Sequence, residues 1–278
     1  MGIISEWLAE LRDVLSDEPV VSEARVGVFY TAVQVSTGSV GVAFTPRDLN
    51  DTVCCPKSAA GAPPAGRLIG RKAWELAGYA LSPSALRRAL GIATLNALSS
   101  TALERYGLSQ GEMRPNLDAL DAVEIRSVDR VVMVGSFVPF IKALKDRVTC
   151  LSVVDKHPEA LRPDERMLWV APQRVAEALG SADVVLISGS ALVEGGIDDL
   201  LGACPKARRR VLAGPTAPLW PATFFRHGID VLGGIRVADG RELLNIVGQG
   251  GSGYFFETAA AKVCIVRTAD RVAESLMR

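Results

Sequence analysis

The strongest constraint on the fold is an alternation, in the second half of the chain, between short β-branched runs and stretches long enough for helices. Five such runs follow residue 130, at residues 131–134, 148–154, 184–187, 210–213 and 229–232. Because these runs are apolar almost throughout, they are typical of strands buried on both faces, and the segments between them can form crossover helices. The pattern predicts a doubly wound parallel sheet of five or more strands.

Small or conformationally special residues follow each of the first four predicted strands. The four loops are Gly135-Ser136-Phe137-Val138-Pro139, Asp155-Lys156-His157-Pro158, Ser188-Gly189-Ser190 and Gly214-Pro215-Thr216-Ala217-Pro218. The carboxyl ends of parallel strands share one edge of a sheet, so the loops are expected to converge on one rim, which is the predicted ligand site. The alternative is that these residues only form strand-to-helix turns and helix N-caps.

A dinucleotide site is only partly matched. Asp155 lies 20 positions after Gly135, as does the acidic residue that binds a ribose in dinucleotide folds. The first turn is not G-x-G-x-x-G, because Phe137 fills the place of a pyrophosphate and Pro139 lacks a backbone donor. This excludes a normally bound NAD and leaves a nucleoside ligand of the S-adenosylmethionine kind as an alternative.

A literal G-x-G-x-x-G occurs once, at residues 248–253. Only some 25 residues follow it, too few to complete a nucleotide-binding domain. The preceding residues fit the end of a helix closed by glycine. We therefore expect a mobile glycine-rich loop that leans over the rim, with Gly250 and Gly251 among the ligand-binding residues.

Metal-ligating residues are scarce. His157 and His227 are the two histidines, and the five cysteines show no C-x-x-C spacing, which excludes a three-histidine centre and a zinc ribbon. His157, at the end of a predicted strand, is with Asp155 the candidate metal ligand, whereas His227 is expected to cap a helix. Cys54 and Cys55 are adjacent in a Pro- and Gly-rich loop and would need two further ligands.

Cys150, Cys264 and the first part of the chain are predicted to have structural roles. Cys150 and Cys264 lie inside apolar runs and are expected to be buried. An amphipathic pattern predicts a helix over residues 3–16, and two β-rich runs joined at Ser36-Thr37-Gly38 predict a hairpin.

A long helix is predicted from Ser82-Pro83 to about Arg105, apolar enough to be buried on more than one side. Asn96 on this helix is expected to face the rim, although a polar residue in an apolar helix can simply bond a neighbouring backbone. Glycines at 107 and 111 suggest a boundary between an α+β domain, residues 1–110, and the sheet domain, residues 111–278.

Charge and hydropathy bound the partners. There are 31 basic and 31 acidic residues, so no nucleic-acid partner is expected. No apolar run reaches the roughly 18 to 20 residues that a membrane span needs, and the start lacks a signal pattern, so a cytoplasmic protein without a membrane partner is expected. A mean hydropathy of +0.23 and four tryptophans predict a homodimer.

Two groups of short motifs resemble a known family. The first is Gly66-Arg67-Leu68-Ile69-Gly70-Arg71, Glu75-Leu76-Ala77, Gly91-Ile92-Ala93 and Leu95-Asn96-Ala97. The second is Val134-Gly135 with Pro139, Ile187-Ser188-Gly189-Ser190, Gly196-Ile197-Asp198 and Gly214-Pro215-Thr216-Ala217-Pro218-Leu219. In combination they resemble the uncharacterised bacterial and archaeal proteins called the "putative heavy-metal chelation" family. The resemblance implies an enolase amino-terminal-like domain, a Rossmann-like domain and a site between them.

Two classes of function follow from these features. In the first, the protein binds a transition or heavy metal ion, or a metal complex, in the interdomain cleft without catalysis. In the second, it is an enzyme that acts on a small anionic or nucleoside-like substrate in the same cleft, where His157 or Asp155 moves a proton. The motifs leave open whether the chain is an enzyme.

Overall fold

The chain folds around two β-sheets, and a computed structural model describes residues 2–47 and 61–268. The first sheet is antiparallel in the order β1-β2-β3. Its strands are β1 Val21–Val26, β2 Tyr30–Val35 and β3 Val40–Phe44. Three helices accompany it, α1 Ile3–Val14, α2 Ala73–Ala77 and α3 Ala85–Tyr106. The β2–β3 hairpin is the predicted one, and β1 adds a third strand.

The second sheet has seven strands in the order β4-β10-β9-β8-β7-β5-β6. They are β4 Glu112–Pro115, β5 Arg130–Val134, β6 Cys150–Val154, β7 Val184–Ser188, β8 Arg209–Ala213, β9 Val231–Val237 and β10 Ala260–Val266. The accompanying helices are α4 Val138–Leu144, α5 Val175–Gly180, α6 Ser190–Glu194, α7 Ile197–Ala203, α8 Ala222–Arg226 and α9 Gly240–Gly248.

The predicted α/β class is confirmed, and the sheet is mixed at one end. Strands β9, β8, β7, β5 and β6 are parallel neighbours, as the alternation of strands and helices predicts. Strand β10 pairs antiparallel with β9, and β4 pairs antiparallel with β10. Strands β4 and β10 extend the sheet beyond its parallel part and were not predicted from the sequence.

Of the two cysteines expected in the core, Cys150 and Cys264, only one is buried. Cys264 on β10 is buried, as predicted, and burial raises the pKa of its thiol to about 11. Cys150 is exposed, so the prediction for it was wrong. The reason is its place at the start of β6, which is an edge strand of the sheet, where alternate side chains reach solvent.

Helix α3 is buried on several sides, as its apolar composition predicts. It begins at Ala85, later than predicted, because Ser82 and Pro83 form an extended turn in which the Ser82 hydroxyl accepts from Ser84 N at 3.2 Å. Within the described part of the chain, no helix is both long and apolar enough to cross a membrane.

One hydrophobic cluster extends across both sheets. It includes Val33 of the first sheet, Leu98 of α3, and Val185 and Leu212 of the second sheet. The boundary near residue 110 stays a prediction, because this cluster spans both halves, although another cluster lies within the second half alone.

Helix α1 ties the start of the chain to α8. The indole of Trp7 meets the ring of Phe224 edge-on, with the ring centroids 5.3 Å apart. Glu10 accepts from Trp220 Nε1 at 2.7 Å and from Arg226 at 2.8 Å. His227, the C-cap of α8 as predicted, also lies 3.1 Å from Glu6, and this hydrogen bond lowers the pKa of the Glu6 carboxyl.

The backbone of α3 approaches β3 very closely at Gly41. A Cβ added at Gly41 would lie 2.2 Å from Ala93 O and 2.2 Å from Ala97 N. These are backbone atoms, which cannot rotate away, so only glycine permits this distance between helix and sheet.

We therefore expect Gly41→Ala to lower the free energy of unfolding by at least about 3 kcal/mol, the upper end of the range for overpacked cores. Urea unfolding followed by circular dichroism measures this. Gly78→Ala is the matched control, since Gly78 has open space around it. If the two variants unfold at the same urea concentration, the close packing of α3 on β3 is wrong.

Candidate functional site

The loops after β5 and β6 are fastened together by Asp155. Its Oδ2 accepts from the backbone N and the hydroxyl of Ser136, at 2.8 and 2.6 Å, and its Oδ1 accepts from His157 N at 2.9 Å. The carbonyl of Asp155 accepts from Trp169 Nε1 at 3.0 Å. The carboxylate that sequence spacing places at a ribose therefore positions the first turn instead.

The loops after β5 and β7 meet where the strand order reverses. Strand β6 lies on one side of β5 and β7 on the other, and ligands of open α/β sheets bind at such a point. Gly135 has φ +94°, and a Cβ added there would lie 2.8 Å from Ser188 Cβ. The Ser188 hydroxyl accepts from Ser190 N at 3.2 Å and lies 3.0 Å from its hydroxyl.

The loops after β7 and β8 are equally close. A Cβ added at Gly189 would lie 2.9 Å from both Thr216 Cβ and Ala217 N. The hydroxyl of Thr216 accepts from Phe44 N of β3 at 2.9 Å, so this loop is also bonded to the first sheet. Only glycine at position 189 therefore lets the loops after β7 and β8 lie this close together.

Asn96 bonds α3 to both parts of the chain. Its Nδ2 donates to Val42 O at 2.8 Å and to Thr216 O at 3.0 Å. Asn96 lies against the loop after β8, on the side predicted for it, and the backbone bonds weighed as the alternative are also present. The partners are 54 and 120 positions away in the sequence, which makes this contact tertiary rather than local.

An aromatic pair lines the start of α4. Phe137 stacks on Phe140 with ring centroids 5.1 Å apart, and a Cβ added at Gly214 would lie 3.6 Å from the Phe137 ring. Pro139 occupies the first turn of α4. An aromatic ring and a proline therefore replace the backbone donors that a pyrophosphate would need.

The glycine-rich segment ends α9, as the helix-end interpretation predicts. Gly250 and Gly251 pack against Val28 and Ile246, and Gly253 is the residue that reaches the rim. A Cβ added at Gly253 would lie 3.4 Å from Pro215 Cγ and 3.3 Å from the Tyr30 hydroxyl. Burial raises the pKa of Tyr30 to about 12.

The side chains at the rim do not make a metal centre by themselves. His157 Nδ1 lies 3.0 Å from Glu159 Oε1, and both side chains are exposed. Over residues 2–47 and 61–268 there is no group of three or more His, Cys, Asp or Glu arranged for a metal ion. Cys54 and Cys55 lie outside the described residues. The described donors do not fit an ion held by protein side chains alone.

Sequence reasoning missed a cavity of about 210 Å³ at the carboxyl end of β9, beside α3. Ser100 and Glu104 of α3 line it, together with Arg236 of β9. A signal was available, because Asn96, Ser100 and Glu104 recur every four residues in a helix that is otherwise largely apolar and so lie on one face.

The hydrogen bonds that Asp155 accepts predict the effect of removing its carboxylate. Asp155→Ala leaves two backbone donors and the Ser136 hydroxyl without their acceptor, so we expect a loss of about 1 to 3 kcal/mol in the free energy of unfolding. Amide hydrogen exchange should accelerate at Ser136 and His157. Glu159→Ala, a neighbouring exposed carboxylate, is the control. Unchanged exchange at Ser136 in Asp155→Ala would contradict the positioning role.

Comparisons with known proteins agree with this architecture. Residues 118–266 match a family model described as "Putative heavy-metal chelation", and residues 9–99 match a second model with the same description. An uncharacterized protein of Methanocaldococcus jannaschii is 26% identical over 196 residues, which are 70% of this chain and 71% of that protein.

Two crystal structures have the same fold, and both are titled as proteins of unknown function. The one from Pyrococcus horikoshii has a TM-score of 0.74 and 20% identity, over 95% of this chain and 100% of that chain. The one from Desulfitobacterium hafniense has a TM-score of 0.73 and 21% identity, over 96% and 98%. The family suggested by the sequence motifs is confirmed: the chain belongs to the family described as "Putative heavy-metal chelation".

Proposed function

We propose that the chain binds a metal ion that is already held by a small organic molecule, in the cleft between the rim and helix α3. One observation carries the proposal. The rim has converging hydroxyls, glycines and an aromatic ring, whereas the described residues contain no group of three metal-ligating side chains. Such a site is suited to an organic ligand that brings most of the metal's donors with it.

The chemistry of the rim supports recognition of such a complex. The hydroxyls of Ser136, Ser188 and Ser190 can exchange hydrogen bonds with the polar atoms of an organic ligand, and the ring of Phe137 offers it a flat apolar face. Asp155 holds Ser136 in position. His157, exposed at the outer end of the rim, is the side chain that can add one ligand to the metal.

An enzyme acting on a small anionic or nucleoside-like substrate is the second candidate. The observation in its favour is the position of the Gly135 and Ser188 loops, at the reversal of strand order where α/β enzymes bind nucleotides. Against it, Asp155 already accepts two hydrogen bonds from Ser136 and one from His157 N, so its carboxylate is engaged in holding the rim together.

We also propose that the protein is cytoplasmic and that it binds a small-molecule or metal ligand but neither nucleic acid nor membrane. These parts rest on the balanced charge and on the lack of a long apolar run.

The test is the content of the protein purified without a chelator. Elemental analysis and mass spectrometry of the denatured sample should find a transition or heavy metal near one equivalent together with an organic molecule. A nucleoside without metal would favour the enzyme instead. A metal without any organic molecule would contradict the proposal.

Gly189→Ala should weaken retention of this complex by about tenfold or more, which corresponds to about 1.4 kcal/mol. The added methyl would lie 2.9 Å from Thr216 and Ala217 and so displaces the loop after β8. Gly202→Ala is the matched control, because Gly202 on α7 has open space around it. Metal content and dialysis-resistant binding are the readouts.

Replacing the adjacent thiols of Cys54 and Cys55 tests the alternative metal site. Cys54→Ser combined with Cys55→Ser should leave most of the bound metal in place. If this double variant loses the metal while Gly189→Ala retains it, the metal is bound by the thiols and not at the rim.

A homodimer is also part of the proposal. Two adjoining segments expose large apolar side chains: Val28 and Phe29 in the β1–β2 turn, and Tyr254 and Phe255 after the glycine-rich segment. The segments meet at Gly250, where an added Cβ would lie 3.4 Å from Val28. Exposed apolar side chains that adjoin one another in this way commonly form protein interfaces.

Light scattering should therefore give twice the chain mass of 29.5 kDa. Val28→Ser with Tyr254→Ser should shift the mass toward 29.5 kDa, whereas Met167→Ser, at another exposed apolar residue, should not. A wild-type mass of 29.5 kDa at working concentration would overturn the dimer.

A further inference from the structure

The cavity beside α3 is lined by none of the described residues in the loops after β5, β6 and β7, which carry the proposed function, and it meets the loop after β8 only at Pro215 and Ala217. It has a volume of about 210 Å³ and lies between the turn of the β2–β3 hairpin, the second half of α3 and the end of β9. A recess of about 10 Å³ continues from it toward Asn96. Val40, Ser100, Leu219 and Val237 line both spaces, so we treat them as one site and call it the α3 cavity.

A buried acceptor lines the inner end of the α3 cavity. Asn96 is 8% exposed, and its Oδ1 has no hydrogen-bond partner. The orientation of the amide is fixed, because Nδ2 donates to two carbonyls and a flipped amide would set Oδ1 against both. Oδ1 is itself closed to solvent, so Asn96 forms part of the inner wall of the cavity, and the charged groups of a ligand meet the outer end.

The outer end of the cavity carries one charge of each sign. Arg236 has no hydrogen-bond or ion-pair partner in the described part of the chain, and it is exposed at the end of β9. Glu104 lies on the same lining and accepts from the hydroxyl of Ser39 at 3.4 Å. The side chain of Ser39 is held in turn by Thr101, at 2.9 Å. A ligand with net charge of either sign would meet one like charge here.

From these contacts we propose that the α3 cavity binds a small amino carboxylate, a zwitterion with a primary ammonium and a carboxylate. The ammonium pairs with the carboxylate of Glu104 on the lining of the cavity. The carboxylate pairs with the guanidinium of Arg236, whose paired N–H groups match its two oxygens. The site goes beyond the proposed function and needs no metal.

The dimensions set the size of the ligand. A cavity of about 150 Å³ accommodates benzene, so 210 Å³ accommodates a molecule of roughly six to ten non-hydrogen atoms. Glu104 and Arg236 lie on the lining of this one cavity, and Ser100 lies one turn of α3 before Glu104. A short linear amino carboxylate matches this volume, and a nucleotide does not fit.

The experiment is calorimetric titration of the full chain, freed of metal by a chelator, with β-alanine, γ-aminobutyrate and 5-aminopentanoate. Butyrate and butylamine are the matched probes that lack one of the two charged groups. At least one amino carboxylate should bind, and both matched probes should bind at least about tenfold more weakly. Because metal is absent, the outcome is independent of whether the rim binds a metal complex.

Variants locate the binding. Arg236→Gln should weaken binding of the amino carboxylate by about tenfold or more, and Ser100→Leu should abolish it by filling the cavity. Arg241→Gln, a neighbouring exposed arginine that does not line the cavity, should leave it unchanged. The proposal is overturned if none of the three amino carboxylates binds, or if binding is the same in wild type, Arg236→Gln and Ser100→Leu.

Discussion

The contact on which the structure depends is the packing of helix α3 against strand β3. Gly41 brings the helix backbone so close to the strand that any side chain there would collide with Ala93 and Ala97. At this distance the Asn96 amide reaches both Val42 O and Thr216 O, which joins the first sheet to the loop after β8. The shared hydrophobic cluster, the rim and the α3 cavity all require α3 in this position.

The rim itself is held by contacts among its own residues. Asp155 binds Ser136. The glycines at 135 and 189 let neighbouring loops pack so closely that no methyl group would fit between them. The carboxylate of Asp155 is therefore committed to positioning, and the remaining polar groups of the rim are hydroxyls, backbone atoms and the His157 side chain. Under the proposed function, an organic ligand supplies the metal donors that the described residues of this chain do not group together.

Much of this architecture follows from local sequence pattern, and the remainder depends on long-range contacts. The parallel strands, the hairpin and α3 are marked by periodicity and turn residues within each segment. Strands β4 and β10 are defined by pairing with a distant strand, and Cys150 is exposed because β6 is an edge. The convergence of the four loops could be predicted from strand polarity. For the α3 cavity, the polar face of the helix is visible in the sequence, but the opposite wall is not, because Arg236 lies far from Ser100 along the chain.

The most direct test of the account is the position of the metal in crystals of protein purified without a chelator. Anomalous diffraction at the absorption edge of the element found by analysis locates it without assumptions about its ligands. The account predicts a peak beside the loops after β5 and β7, within density for an organic molecule that supplies most of the ligands. A peak coordinated by Cys54 and Cys55, or by protein side chains alone, would contradict it.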